Sequence, residues 1–234
     1  MSNLLLSSVD TVGPSDLLHF SKHTLQYVAL GFMGIVYTVR ILWFLSFKAG
    51  GERQAPTGSP MTTRTKGVLY SWVNIAMPWA MESTRKRFFL YLQFVAFHIG
   101  VAAAIALSFV IPEFPDLLTD AVVLAFQVVI GAAFVVGMIR IIRRVGSPYM
   151  RAISSPDDYF SLILLTVWFL SAVLAAPKHG SGEEWQLLSF FILTAFFLIY
   201  VPFSKISHYL YYPFTRYYLG KTMGYRGVYP IQRS

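Results

Sequence analysis

The chain has 234 residues, of which 56% are hydrophobic, 17% aromatic and only 13% charged. A soluble domain carries about a quarter charged residues, so a bilayer is the expected solvent for most of this protein. Cysteine is absent, which excludes a disulfide framework, a cysteine-ligated iron–sulfur cluster and a covalently attached c-type haem; the net charge of +8 gathers at helix ends instead of interleaving with stacking aromatics, which argues against nucleic acid as a partner.

Met1 to Val9 carries no basic side chain, so no cleavable signal peptide is expected and insertion should rely on the membrane helices themselves. Five apolar segments follow, at about 24–47, 88–111, 119–139, 159–176 and 185–212. Each is read as a helix crossing roughly 30 Å of hydrocarbon, which predicts an all-α five-helix integral membrane bundle. The connection 48–87 begins as a flexible stretch, GGERQAPTGSPMTTRTKG. It continues as the apolar, aromatic VLYSWVNIAMPWAMESTRKR, expected to lie along the membrane surface, anchored by Trp72 and Trp79. A sharper reading makes that segment a wall of a quinone pocket or a docking surface. Pro112, Pro115, Pro156 and Pro177 fall in connections, and Pro202 should bend the fifth helix. The tail 213–234 is basic and rich in tyrosine, a composition suited to docking on a soluble subunit. No internal repeat is visible, so a transporter built from inverted halves gains little support.

The basic residues predict the direction of the chain. Sixteen of the nineteen Lys and Arg lie in 48–87, 140–158 and 204–234, whereas the alternate connections carry Glu113, Asp116, Glu183 and Glu184. The positive-inside rule therefore puts the N-terminus outside and the C-terminus in the cytoplasm.

Ionisable groups inside such spans mark functional sites. His98 lies in FVAFHIGVAAAIAL, about three turns into the second helix, and His208 lies near the end of the fifth. Antiparallel helices bring those two positions to the same side of the membrane, where two imidazoles can reach one iron. Left to pattern alone, each is equally well a hydrogen-bonding contact between helices. Gly100 would let a flat macrocycle approach the backbone; Gly31, Gly34, Gly131 and Gly137 would do the same or pack helices. His19 and His23 share a helix face at i, i+4 and are read first as interfacial polar residues; His179 is read as a solvated loop residue. Asp157 and Asp158 precede the fourth helix, where carboxylates favour a helix N-terminus.

Three segments carry a resemblance. LQFVAFHIGV, SPYMRAISSPDDYFSLILLTV and VPFSKISHYLYYPFTRYYLG resemble the second helix, the loop between helices three and four, and the end of helix five in the gamma subunit of respiratory nitrate reductase and its wider cytochrome b family. The five-helix layout and the outside N-terminus are similar too. The resemblance implies that His98 and His208 are the axial ligands of one haem b. It also implies electron exchange between a membrane quinone and a soluble, iron–sulfur-bearing subunit on the cytoplasmic side of a prokaryotic inner membrane. The family carries a second histidine pair for an outer haem, and here those positions correspond to Phe109 and Phe190, so that haem is expected to be absent and the quinone pocket is placed in the cytoplasmic half. Arg40, Arg87 and Lys205 are candidate partners for haem propionates, although the simpler reading, that they follow the positive-inside pattern, is preferred. With no nucleophile or acid–base constellation, the chain is read as an electron-transfer subunit of a larger oxidoreductase; a haem-free membrane anchor that tethers a catalytic partner is the alternative.

Overall fold

A computed structural model describes residues 16–48, 50–178 and 184–231; His179 and Glu183 lie outside the described residues. Among the described residues the structure is helical and has no strand. The helices are α1 (Asp16–Lys22), α2 (Thr24–Ser46), α3 (Arg64–Val73), α4 (Glu82–Lys86), α5 (Phe88–Glu113), α6 (Asp120–Gly146), α7 (Pro148–Ala152), α8 (Pro156–Ala175), α9 (Glu184–Tyr200) and α10 (His208–Tyr225). Five continuous helical stretches among these residues are long and apolar enough to cross a membrane: 16–46, 88–113, 120–146, 156–178 and 184–203. This is the make-up of a multi-pass membrane protein. On α2, Val28, Ile35 and Leu42 are more than 60% exposed. They stand one heptad apart and so form a single outward apolar stripe, as a lipid-facing helix requires.

The spanning helices form an arc. α2 packs on α9, α9 on α8, α8 on α6 and α6 on α5, while α2 and α5, at the two ends of the arc, barely touch. Small residues set the close approaches. A Cβ on Gly100 would collide with the side chain of Ala133, and one on Gly137 would meet the Thr166 hydroxyl. Gly100 thus serves helix packing and not the approach of a flat ring to the backbone; Gly31, Gly34 and Gly131 have nothing near enough to make them packing residues. Phe169, Phe190, Phe191, Leu107 and Ile130 are fully buried in the core behind the arc, and Trp168 donates its indole N–H to Thr194 at 2.9 Å.

Two expectations about boundaries change. The third spanning helix runs on to Gly146, seven residues beyond its apolar stretch. The fifth does not continue through Tyr212. α9 ends at Tyr200, 3-10 turns occupy 201–203 and 205–207 around an extended Ser204, and a separate helix starts at His208. Pro202 cannot donate to the helical ladder, and Ser204 and Ser207 offer the backbone competing hydrogen bonds, to Val201 O at 3.1 Å in the case of Ser204. The loop and the tail are not separate surface features either. α3 and α10 are the most extensively packed pair of helices among the described residues, because Gly67, Gly220 and Gly224 leave no room for a Cβ between the two backbones. Trp72 Nε1 donates to Pro213 O at 2.9 Å, and the Gly58 and Ser59 amides donate to Arg226 O and Gly227 O, each at 3.0 Å.

Candidate cofactor site

Between α2 and α5 lies a cleft of about 510 Å³, walled behind by α8 and α9. Pockets for small molecules and cofactors span roughly 300–1,000 Å³. Its walls are mostly apolar, with Leu30 and Met33 on one side, Val101 and Ile105 on the other, and Leu165 and Trp168 at the back. His98, from the middle of α5, and His208, the first residue of α10, both face it.

The local backbone explains how His208 arrives there. At the N-terminus of α8 the Asp158 carboxylate accepts from the Ser155 amide at 2.8 Å and pairs with Lys205 Nζ at 3.1 Å, and with Arg144 at 3.8 Å. Its neighbour Asp157 accepts from the Tyr200 hydroxyl at 2.6 Å. These two carboxylates grip the chain on both sides of the break at Pro202, so the 201–207 link is held against α8 and releases His208 into the cleft. Tyr209 and Tyr37 share a hydrogen bond of 2.6 Å that ties α10 to α2. Partial burial, with the Tyr37 bond second, pushes the Tyr209 phenol up, so it remains neutral.

The two imidazole centres are 6.3 Å apart, with planes at 79°. The Nδ1 of His98 is 2.7 Å from Phe94 O, and that of His208 is 3.1 Å from Lys205 O. A backbone carbonyl partner fixes the tautomer with the proton on Nδ1 and leaves Nε2 as the ligating nitrogen, the usual arrangement for metal-bound histidine. Imidazole nitrogens bind first-row metals at about 2 Å. A ring centre sits about 1.15 Å behind its ligating atom, given ring bonds near 1.35 Å. Two rings clamping one ion from opposite sides therefore have centres roughly 6.3 Å apart, so the donor set and its spacing fit an iron with two axial imidazoles. Both rings are exposed to the cleft and neither is packed into core.

The basic residues divide differently from expectation. Lys205 is engaged by Asp158 and Ser155; Arg40 lies over the Phe203 ring at 5.5 Å, one turn beyond Tyr37 on α2; Arg87 caps the start of α5, eleven residues before His98. Arg140 is the cation that sequence reading passed over. Its guanidinium is 5.0 Å from the centre of the Phe97 ring, the residue next to His98. It ranked with the loop charges because the apolar stretch stops at Ile139; only the extension of α6 puts it inside a helix. Of the two phenylalanines at the second-pair positions, Phe190 is fully buried, stacked on Trp168 at 6.2 Å, and Phe109 lines the cleft. His19 and His23 adjoin, with ring centres 4.9 Å apart, at the opposite end of the bundle from His208. No group of three or more potential metal-ligating side chains occurs among the described residues; a bis-imidazole centre needs only two.

No family model matches the chain. A protein of Nitratidesulfovibrio vulgaris (strain Hildenborough) is 26% identical over 181 residues, which cover 72% of this chain and 76% of that protein. Its name states no activity.

Proposed function

We propose that this chain is the haem b-carrying membrane subunit of a multi-subunit oxidoreductase, similar to the gamma subunit of respiratory nitrate reductase but with one haem. The observation that carries this reading is the separation of 6.3 Å between two carbonyl-anchored imidazoles that both line one apolar cleft. Bound haem would supply reversible one-electron transfer at iron. The chain contributes the rest. His98 and His208 would hold the iron through their Nε2 atoms, Phe94 O and Lys205 O fix their tautomers, and the walls of α2, α5, α8 and α9 would keep water away from the group. In this reading electrons pass between a membrane quinone and a soluble partner, iron–sulfur-bearing by analogy with the resembled family. The partner docks on the α3–α10 layer at the basic, cytoplasmic end. The N-terminus then lies outside the inner membrane of a prokaryote.

The test is optical. A reduced-minus-oxidised spectrum of the purified protein is expected to show b-type α and Soret bands, and His98→Ala and His208→Ala should each abolish them without unfolding the bundle. A colourless but folded wild-type protein would sink the proposal and leave a membrane anchor.

A further inference from the structure

Two further histidines adjoin at the end of the cleft away from His208. The backbone keeps a helical turn through the junction of α1 and α2, because the His23 amide donates to His19 O at 3.2 Å and the Tyr27 amide to His23 O at 3.1 Å. His19, His23 and Tyr27 therefore share one helix face at intervals of four. On the facing wall Glu113 closes α5; its Oε1 accepts from the Tyr27 hydroxyl at 2.7 Å and lies 3.9 Å from His23 Nδ1. We propose that His19, His23 and Glu113 bind a divalent late transition-metal ion, zinc being the simplest occupant, and that this ion joins α2 to α5 across the open side of the arc.

The spacing of the two rings carries the argument. Zinc in tetrahedral coordination sits about 2.05 Å from an imidazole nitrogen, hence roughly 3.2 Å from the ring centre. Two rings on neighbouring tetrahedral positions then have centres about 5.2 Å apart. The centres of His19 and His23 are 4.9 Å apart, against 6.3 Å for His98 and His208. The first pair thus fits adjacent positions on one ion, and the second fits opposite ones. A reachable zinc site takes three protein ligands and a water. Glu113 supplies the third ligand: donor atoms on one tetrahedral ion lie about 3.3 Å apart, so the carboxylate closes on an ion held by the imidazoles with a shift of about half an ångström toward His23. The Tyr27 hydrogen bond keeps that carboxylate turned to the site, as outer hydrogen bonds do for metal ligands. Imidazole with carboxylate suits zinc, copper and nickel. His19 and Glu113 are exposed and His23 is half-buried, so the ion enters from water. Asp16, Asp116 and Asp120 lie at the same end and draw cations to it; Lys22, on the cleft wall, is the opposing charge. α2 and α5 barely touch, and His23 stands just before α2 while Glu113 is the last residue of α5. A bound ion therefore adds a coordinate link where the arc is held by one hydrogen bond between exposed side chains.

The experiment titrates zinc chloride into the full-length protein, purified on a histidine-free tag, by calorimetry at pH 7.5, and records the melting temperature with and without zinc. Saturable binding is expected, with a rise of several degrees in melting temperature. His19→Gln and His23→Gln should each weaken binding at least tenfold, and Lys22→Met should tighten it. Glu113→Gln should weaken binding about tenfold and abolish the rise in melting temperature, since the ion then touches one side of the arc alone. His98→Ala should keep this binding, which separates the site from the haem pair. Helical circular dichroism equal to that of the wild type shows that each variant is folded. Absence of saturable zinc binding, or wild-type affinity in both His19→Gln and His23→Gln, overturns the site. A melting temperature that zinc raises equally in Glu113→Gln overturns the link between α2 and α5.

Discussion

At the scale of single residues, Arg140 of α6 places its guanidinium against Phe97, a cleft residue and the neighbour of His98. A fixed positive charge near an iron favours the ferrous form, because reduction removes one positive charge from the site. Arg140→Met is therefore expected to lower the haem midpoint potential by a few tens of millivolts, about 1 kcal/mol acting on a one-electron couple, while Arg140→Lys restores most of it. Redox titration of the α band measures both. A potential unchanged in Arg140→Met would mean that the guanidinium is screened from the iron. Tyr37 offers a second residue-scale test. Tyr37→Phe removes the 2.6 Å bond to Tyr209 and should cost about 1 kcal/mol, read as a lower melting temperature with the α band in place.

Among the elements, α10 decides whether the site exists, because the chain must stop being a membrane helix before it can present His208. The link that leads into α10 is held by the carboxylates of α8, and α10 itself by the glycine seam with α3. Gly67→Val would drive a branched side chain into the Gly220 carbonyl and the Gly224 backbone, and overpacking of this kind costs roughly 1–3 kcal/mol. The expected outcome is a protein that still inserts as five helices but loses haem, because the first residue of α10 is displaced. Haem per protein after purification checks this, and full occupancy would show that the seam is dispensable. The sequence made much of this legible. The five apolar stretches, the bend at Pro202, the helix-start role of Asp157 and Asp158, and the candidate pair His98 and His208 are all visible as local patterns. The pairing of α3 with α10 is not, since glycines in a polar loop and in a tail look alike whether they are loose or locked. How His208 reaches the cleft was likewise not legible, because a fifth helix read as running through Tyr212 contains no turn at 201–207 to bring it in.

For the whole molecule, the unequal distribution of charge is the property that sets direction. The end bearing α3, α4 and α10 carries Arg64, Lys66, Arg85, Lys86, Arg87, Arg216 and Lys221, while the opposite end carries Asp16, Glu113, Asp116 and Asp120. Lys and Arg near span ends resist translocation, so the first end should stay in the cytoplasm and the second face out. The cleft then runs from Glu113 at the outer end to the histidine pair about 22 Å further in along α5, with the proposed docking layer beyond it. Because the chain has no native cysteine, single substitutions report on this arrangement without background. In intact cells, Asp116→Cys should react with a membrane-impermeant maleimide and Lys221→Cys should not, and lysis should make Lys221→Cys reactive as well. The reverse labelling would invert the molecule, placing the Glu113 end in the cytoplasm.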